Sequence, residues 1–116
     1  MKIAIPLDEN KVDVCVSFGR APYFLFCENG TETILSNPAA QAQGGAGIRS
    51  AQFLVDQGAE ALITVRCGQN AADVFKAAQM KVYKAENVAA RPNIKALEEG
   101  KLSPLTTFHA GYHGIR

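Results

Sequence analysis

The pattern of apolar and polar positions predicts short strands that alternate, after the first third of the chain, with helices. An Asn-Gly pair at 29–30 separates two β-prone runs, which is a strong signal for a hairpin. The run at 61–65 is almost continuously apolar, as expected for a strand covered on both faces. Together these runs predict five strands, over 2–7, 23–27, 31–35, 61–65 and 81–84.

Three segments carry helical signals. Ile48, Ala51 and Leu54 keep the spacing of one helix face, and Gly58 follows them as a C-terminal cap would. Asn70 can cap the N-terminus of a second helix. A third segment has a proline near its start and a glycine at its end. The predicted helices therefore cover 46–57, 71–79 and 93–99.

The order of these elements indicates an α/β fold. Strand–helix–strand units with short links produce parallel strands joined by right-handed crossovers. The first and fourth strands, 2–7 and 61–65, should be parallel neighbours, with strand 23–27 antiparallel on the other side of the first. This predicts a mixed five-strand sheet flanked by helices. Residues 1–100 should form one α/β domain, and 101–116 are predicted to be a C-terminal tail.

Composition and charge exclude several classes of protein. The chain has 116 residues, of which 47% are hydrophobic, so it can bury a core. The formal net charge is +1 and the basic residues are scattered, which gives no support to nucleic-acid binding. No apolar run approaches the roughly 18 residues of a membrane span, and no signal-peptide pattern is present. We therefore expect a cytoplasmic protein with no membrane contact.

Three small, glycine-bearing turns are the most informative feature of the sequence. They cover 15–20, 43–47 and 66–70, and each lies next to an arginine: Arg20, Arg49 or Arg66. The first follows the first predicted strand and the third follows the fourth strand. In open α/β sheets, ligands bind beyond the carboxyl ends of such strands. Free N–H groups at helix starts, positive charge and thiols would together suit a compact anion, above all a metal–sulfur anion.

Cys15 and Cys67 are the candidate metal ligands in these turns. A helix N-terminus and nearby arginines lower the pKa of a thiol, and the thiolate is the form that binds metal. We predict that the two thiols converge and act as ligands; the alternative is that both are incidental small residues in loops. Cys27 lies in an aromatic strand and is predicted to pack in the core.

His109 and His113 form a further candidate metal pair. Their i, i+4 spacing would place them on one face of a helix. Gly111 and Gly114 argue against a helix at this position, and a mobile tail is the favoured interpretation. A tail that folds over the site and supplies a histidine is the other possibility.

Several segments resemble the dinitrogenase iron–molybdenum cofactor family, which includes nitrogenase cofactor carriers and orange-protein-like members. They are Lys-Ile-Ala-Ile-Pro-Leu-Asp-Glu-Asn at 2–10, Phe-Gly-Arg-Ala-Pro-Tyr-Phe at 18–24, Asn-Pro at 37–38, Gly-Ala-Gly at 45–47 and Gly-Gln-Asn-Ala at 68–71. The resemblance implies a ribonuclease-H-like α/β fold with sheet order 3-2-1-4-5. It also implies non-enzymatic, largely non-covalent binding of an iron–sulfur cluster or a molybdenum-containing heterometal–sulfide cluster. The protein as isolated could carry such a cluster or no cofactor.

The family's site loops can be carried over residue by residue. Members often have a histidine at the position of Ser17, and the two loop cysteines are not expected across the family. The cofactor-binding residues implied by the resemblance are Ser17, Phe18, Gly19, Arg20, Gly45, Ala46, Gly47, Gly68, Gln69 and Asn70.

The leading functional hypothesis is a cytoplasmic carrier or scaffold for a metal–sulfur cluster, with a cluster-assembly protein or an ATPase as a partner. The alternative is a cofactor-free regulatory or adaptor module that binds a partner protein. An enzyme is the third choice, because no acid–base or nucleophile set is visible in the sequence.

Overall fold

The computed structural model describes residues 1–108. A short 3-10 turn, Phe18–Arg20, precedes the second strand. The strands are β1 Ile3–Leu7, β2 Tyr23–Glu28, β3 Thr31–Ser36, β4 Ala61–Thr64 and β5 Lys81–Lys84. The helices are α1 Ala46–Asp56, α2 Gln69–Ala77 and α3 Ala90–Glu98.

The sheet has the order β3-β2-β1-β4-β5, which confirms the prediction. β2 runs antiparallel to both of its neighbours, whereas β1, β4 and β5 are parallel. The predicted hairpin is also confirmed: Asn29 and Gly30 have φ values of 53° and 82°, the two positive angles that a tight type I′ turn requires. The ribonuclease-H-like label itself remains a prediction.

The sheet carries a core on each face. α1 and α2 pack on one face against Phe24, Phe26 and Leu62. α3 covers the other face, where Ile5 and Cys27 are buried, so the core role predicted for Cys27 is confirmed. No helix within residues 1–108 has the length and apolar character needed to cross a membrane.

Two helices begin earlier than predicted. α2 begins at Gln69 after the N-cap Gly68, so Asn70 lies inside the first turn and is not the cap. α3 begins at Ala90, whereas the prediction placed its start at residue 93. Asn93 is fully buried and bonds through its side chain to the backbone of residues 86, 87 and 89. Both errors arose because the polar residue expected at the helix start has another role in the tertiary structure.

The chain that follows β1 folds back between the diverging ends of β1 and β4. β1 pairs with β4 only through Ile3 and Ala4. Beyond them the N–H of Cys15 donates to the carbonyl of Pro6, at 2.9 Å. Further on, Ser17 forms a parallel bridge with Arg66. The segment 8–20 is therefore held in place, and its end lies beside the residues that follow β4.

The segment after α3 returns along the free edge of β5. The N–H of Lys84 donates to the carbonyl of Ser103, and the N–H of Leu105 donates to the carbonyl of Val82, both at 2.9 Å. Leu102 is buried against the α3 face of the sheet. The candidate ligands His109 and His113 lie outside the described residues.

Candidate functional site

The three predicted turns meet around one cavity of about 420 Å³ at the carboxyl ends of the parallel strands. We call it the main cavity. All the predicted cofactor-binding residues line it except Phe18 and Gln69, whereas neither of the predicted metal ligands Cys15 and Cys67 does. Four residues that were not predicted to bind the cofactor also line it: Gln43, Gly44, Ile48 and Ala71. The described residues that line it are Ser17, Gly19, Arg20, Gln43, Gly44, Gly45, Ala46, Gly47, Ile48, Gly68, Asn70 and Ala71.

A smaller cavity of about 170 Å³ adjoins the main cavity and shares Ser17 and Gly68 with it. We call it the side cavity. Its remaining lining consists of Val16, Phe18, Arg66 and Cys67. The parallel bridge between Ser17 and Arg66 brings its two walls together.

Two helix N-termini open onto the main cavity. Neither N-cap, Gly45 for α1 or Gly68 for α2, supplies a side-chain hydrogen bond. The N–H groups of residues 46–48 and 69–71 have no hydrogen-bond partner within residues 1–108. Such groups, together with the positive end of the helix dipole, form a natural binding site for an anion.

The charged side chains around both cavities are cationic. Arg20 lines the main cavity and Arg66 lines the side cavity, and no Asp or Glu among residues 1–108 lines either. Neither arginine forms an ion pair in the described part of the chain. The Arg20 guanidinium also donates to the carbonyls of Ala40, at 3.2 Å, and Ala42, so it ties the first turn to the second. Arg49 is exposed and lies outside the lining.

A buried polar network joins the first turn to α1. The Asn37 side chain donates to the Ala21 carbonyl and to the Ser50 hydroxyl, both at 2.9 Å. The Ser50 hydroxyl in turn donates to the Gly19 carbonyl at 3.0 Å. No role was predicted for Ser50 from the sequence. Its signal was weak: a serine in the middle of a helix often bonds to a backbone carbonyl.

The first turn is also anchored by Phe18, which was predicted to bind the cofactor. Its ring is buried and packs against Phe24 and Phe75, with centroids 5.6 and 5.5 Å apart. It lines only the side cavity. Gln69 faces away from both cavities and donates to the Asp73 carboxylate at 2.9 Å. Its contribution to the main cavity is limited to its backbone N–H.

The two loop cysteines are protonated at neutral pH. Cys67 is 1% exposed, and burial raises the pKa of its thiol to about 12. Burial also raises the pKa of the half-buried Cys15 thiol, and the neighbouring Asp8 raises it further. The predicted lowering of both pKa values is therefore wrong, because desolvation of the charged form outweighs the helix dipole and the arginines.

Each loop thiol contacts a backbone carbonyl of its own loop. The Cys15 thiol contacts the Ser17 carbonyl and the Cys67 thiol contacts the Gly68 carbonyl, each at 3.5 Å, and both side chains pack against the same core. Among residues 1–108, no three His, Cys, Asp or Glu side chains are grouped as a metal site. Metal ligation by the two cysteines remains a prediction.

The buried Cys67 thiol should make the free energy of unfolding depend on pH in the alkaline range. Its pKa is about 12 in the folded chain, against an ordinary value near 9. The stabilisation is complete below pH 9 and is lost as pH rises from 9 towards 12, because the unfolded chain releases this proton first. We expect the free energy of unfolding to fall by up to about 1.4 kcal/mol per pH unit from this group.

Urea denaturation of wild type and Cys67→Ala between pH 8 and 10.5 measures that slope. The alanine variant keeps every other titrating group, so the difference between the two curves isolates the thiol. A difference that stays constant with pH would show that the thiol ionises as easily in the folded chain as in the unfolded one.

Known proteins are similar to this chain in both sequence and fold. The family model described as dinitrogenase iron-molybdenum cofactor matches residues 1–100. An uncharacterized protein of Methanocaldococcus jannaschii is 36% identical over 107 residues, covering 88% of this chain and 89% of that protein. The apo orange protein from Desulfovibrio gigas superposes with a TM-score of 0.81 at 27% identity, covering 90% of this chain and 96% of that chain. A NifB-like protein from Thermotoga superposes with a TM-score of 0.75 at 38% identity, covering 92% of this chain and 95% of that chain. The chain therefore belongs to the dinitrogenase iron–molybdenum cofactor family.

Proposed function

We propose that this protein is a carrier or scaffold that binds an anionic metal–sulfur cluster in the main cavity. One observation carries the proposal: two helix N-termini without a side-chain cap and Arg20 surround a cavity to whose lining residues 1–108 contribute no carboxylate. Backbone N–H groups and a guanidinium can donate to the sulfur atoms of an anion, and they repel a bare metal cation. The arrangement serves binding and positioning.

We infer the nature of the cluster from the family. An iron–sulfur or molybdenum-containing sulfide cluster is the cargo that family membership supports. We propose that the cluster is held largely without covalent bonds, because both loop thiols are protonated at neutral pH and would have to release a proton to ligate metal. A cluster-assembly protein or an ATPase would deliver or receive the cargo, and the cytoplasm is the expected compartment.

Tetrathiomolybdate is the probe for this proposal. We expect tetrathiomolybdate to bind saturably to the 116-residue chain under anaerobic conditions. The change in visible absorption measures this binding. The same chain should bind Zn²⁺ much more weakly in the same buffer. Preferential binding of Zn²⁺, or no saturable binding of tetrathiomolybdate, would contradict the proposal.

Arg20→Gln should weaken tetrathiomolybdate binding by about tenfold or more, because a hydrogen bond to a charged partner contributes roughly 1.5–3 kcal/mol. Arg49→Gln is the matched control, since it removes the same charge from α1 at an exposed position outside the cavity lining. Equal affinities for the two variants would remove Arg20 from the site.

The contribution of the thiols needs a separate experiment. A Cys15→Ser, Cys67→Ser double variant, reconstituted anaerobically, should keep most of the wild-type metal content and visible absorption if the site is non-covalent. Loss of both, in a variant that remains folded, would show that the cysteines are ligands and that the cluster shifts their pKa values on binding.

A cofactor-free adaptor is the second candidate function. The observation that favours it is the exposure of two apolar residues at the cavities: Val16 is 52% exposed and Ile48 is 43% exposed. Apolar side chains at such positions can contact a partner protein. Metal and acid-labile sulfide analysis of anaerobically isolated protein separates the two functions, because an adaptor would contain neither.

A further inference from the structure

A third cavity of about 340 Å³ lies beside the side cavity, on the β5 side of the sheet edge. It shares Arg66 and Cys67 with the side cavity. Its other polar lining comes from Lys84, Thr106 and Thr107. The nearby hydrogen bonds between residues 82–84 and 103–105 hold the C-terminal segment that forms its outer wall.

The third cavity brings two cations together from different strands. Arg66 follows β4 by two positions, and Lys84 is the last residue of β5. β4 and β5 are parallel, so both side chains reach the same edge of the sheet. Neither has a carboxylate partner in the described part of the chain, and no Asp or Glu lines the cavity.

Two hydroxyl groups complete the polar lining. Thr106 and Thr107 are exposed and line the third cavity. A hydroxyl can rotate to donate to an anion. Two cations and two hydroxyls around a cavity of this size suit a compact anion that accepts hydrogen bonds in several directions.

We propose that the third cavity is a binding site for a tetrahedral oxyanion of the molybdate, sulfate and phosphate type. Arg66 would donate from its planar fork, Lys84 would supply a point charge, and the two hydroxyls would donate to the remaining oxygens. The site is distinct from the main cavity, which is built from backbone N–H groups. It would hold a free oxyanion next to a bound cluster, and this last link rests on the proposed function.

Amide chemical shifts of the ¹⁵N-labelled full-length chain test the site directly. Molybdate, sulfate and phosphate are titrated separately at low ionic strength. We expect saturable shifts at 65–67, 84 and 106–107, and the ratio of the three affinities identifies the preferred oxyanion. Added chloride salt should weaken binding, because exposed charges are screened. Absence of saturation for all three anions would overturn the proposal, as would shifts confined to 45–48 and 69–71.

A charge-removing variant gives the second test. Lys84→Gln should weaken oxyanion binding by about five- to tenfold, the loss of one charge-assisted hydrogen bond. Lys95→Gln on α3 removes the same charge from an exposed position outside the third cavity and should bind like wild type. Equal affinities for the two variants would overturn the assignment.

The outcome is separable from that of the proposed function. Lys84 lines neither the main cavity nor the side cavity, so Lys84→Gln should leave tetrathiomolybdate affinity unchanged. Oxyanion binding without tetrathiomolybdate binding would retain the third cavity as a site and reject the cluster carrier. The opposite result would retain the carrier and reject this site.

Discussion

Gly19→Ala is expected to lower the free energy of unfolding by about 2–3 kcal/mol, because overpacking at a rigid contact carries a cost of this order. A Cβ atom on residue 19 would lie 2.9 Å from both the Cα and the N of Gly47, and 3.3 Å from the carbonyl carbon of Ala46. These are backbone atoms in the first turn of α1, so no side chain can rotate away to relieve the clash. Either the first turn or the helix must move.

Gly47→Ala is the matched control, since it adds the same methyl group on the other side of this contact. Its Cβ atom would meet only the Ala71 Cβ, at 3.9 Å, which is an ordinary van der Waals distance. Alanine is also the better helix former by up to about 1 kcal/mol. We expect unchanged or slightly higher stability. Urea denaturation of both variants measures the difference, and equal stabilities would show that the contact between the turn and the helix can yield.

The same substitution should disturb the main cavity. The Gly19 carbonyl accepts a hydrogen bond from the Ser50 hydroxyl. Gly19, Ala46 and Gly47 all line the cavity. Movement of the first turn therefore moves Arg20 relative to the α1 N-terminus. We expect Gly19→Ala to bind tetrathiomolybdate more weakly than Gly47→Ala, measured at a temperature at which both variants are folded.

Asn37→Ala is expected to destabilise the fold by about 2–4 kcal/mol, because removal of a buried hydrogen-bonding side chain leaves its partners unsatisfied. Asn37 is 6% exposed. It donates to the Ala21 carbonyl and the Ser50 hydroxyl, and it accepts from the N–H of Ala39, each at 2.9 Å. Guanidinium denaturation measures the loss.

Asn10→Ala is the control for burial. The Asn10 side chain also makes three hydrogen bonds, with the N–H groups of Val12 and Asp13 and with the Asp13 carboxylate, but it is exposed. Water can replace these bonds, so we expect a loss below about 1 kcal/mol. Similar losses for the two asparagines would mean that burial does not set the cost. A double-mutant cycle of Asn37→Ala with Ser50→Ala should give a coupling of about 0.5–3 kcal/mol, as for residues in one network.

Local signals in the sequence were sufficient for most elements of the fold. The Asn29-Gly30 turn predicted the hairpin because few residue pairs tolerate two positive φ angles. Gly58, which was predicted to close the first helix, follows the C-terminus of α1 and has a φ of 81°. The order of the elements and the handedness of crossovers predicted the two neighbours of β1, whereas the full order 3-2-1-4-5 was implied by the family resemblance.

Helix starts were less predictable because they depend on competition for polar side chains. Asn70 is a good N-cap by residue type. The N-cap of α2 is nevertheless Gly68, and Asn70 lines the main cavity. Asn93 marked the predicted start of α3, but its side chain is buried and holds the 86–89 loop. A single sequence does not reveal which of two partners such a side chain will bond.

The sequence by itself determined that three glycine-bearing turns meet at one edge of the sheet, because the carboxyl ends of parallel strands must lie together. Only the tertiary structure decided how the side chains are used there. Burial of Cys67 reversed the expected shift of its pKa, Gln69 turned away from the cavity, and Arg20 became a tie to the Ala40 carbonyl as well as a cation. The return of the C-terminal segment along β5, which creates the third cavity, was equally beyond the sequence. Desolvation, side-chain direction and long-range pairing all depend on neighbours that are distant in the chain, whereas turn type depends mainly on residues close together and the handedness of crossovers restricts the strand order.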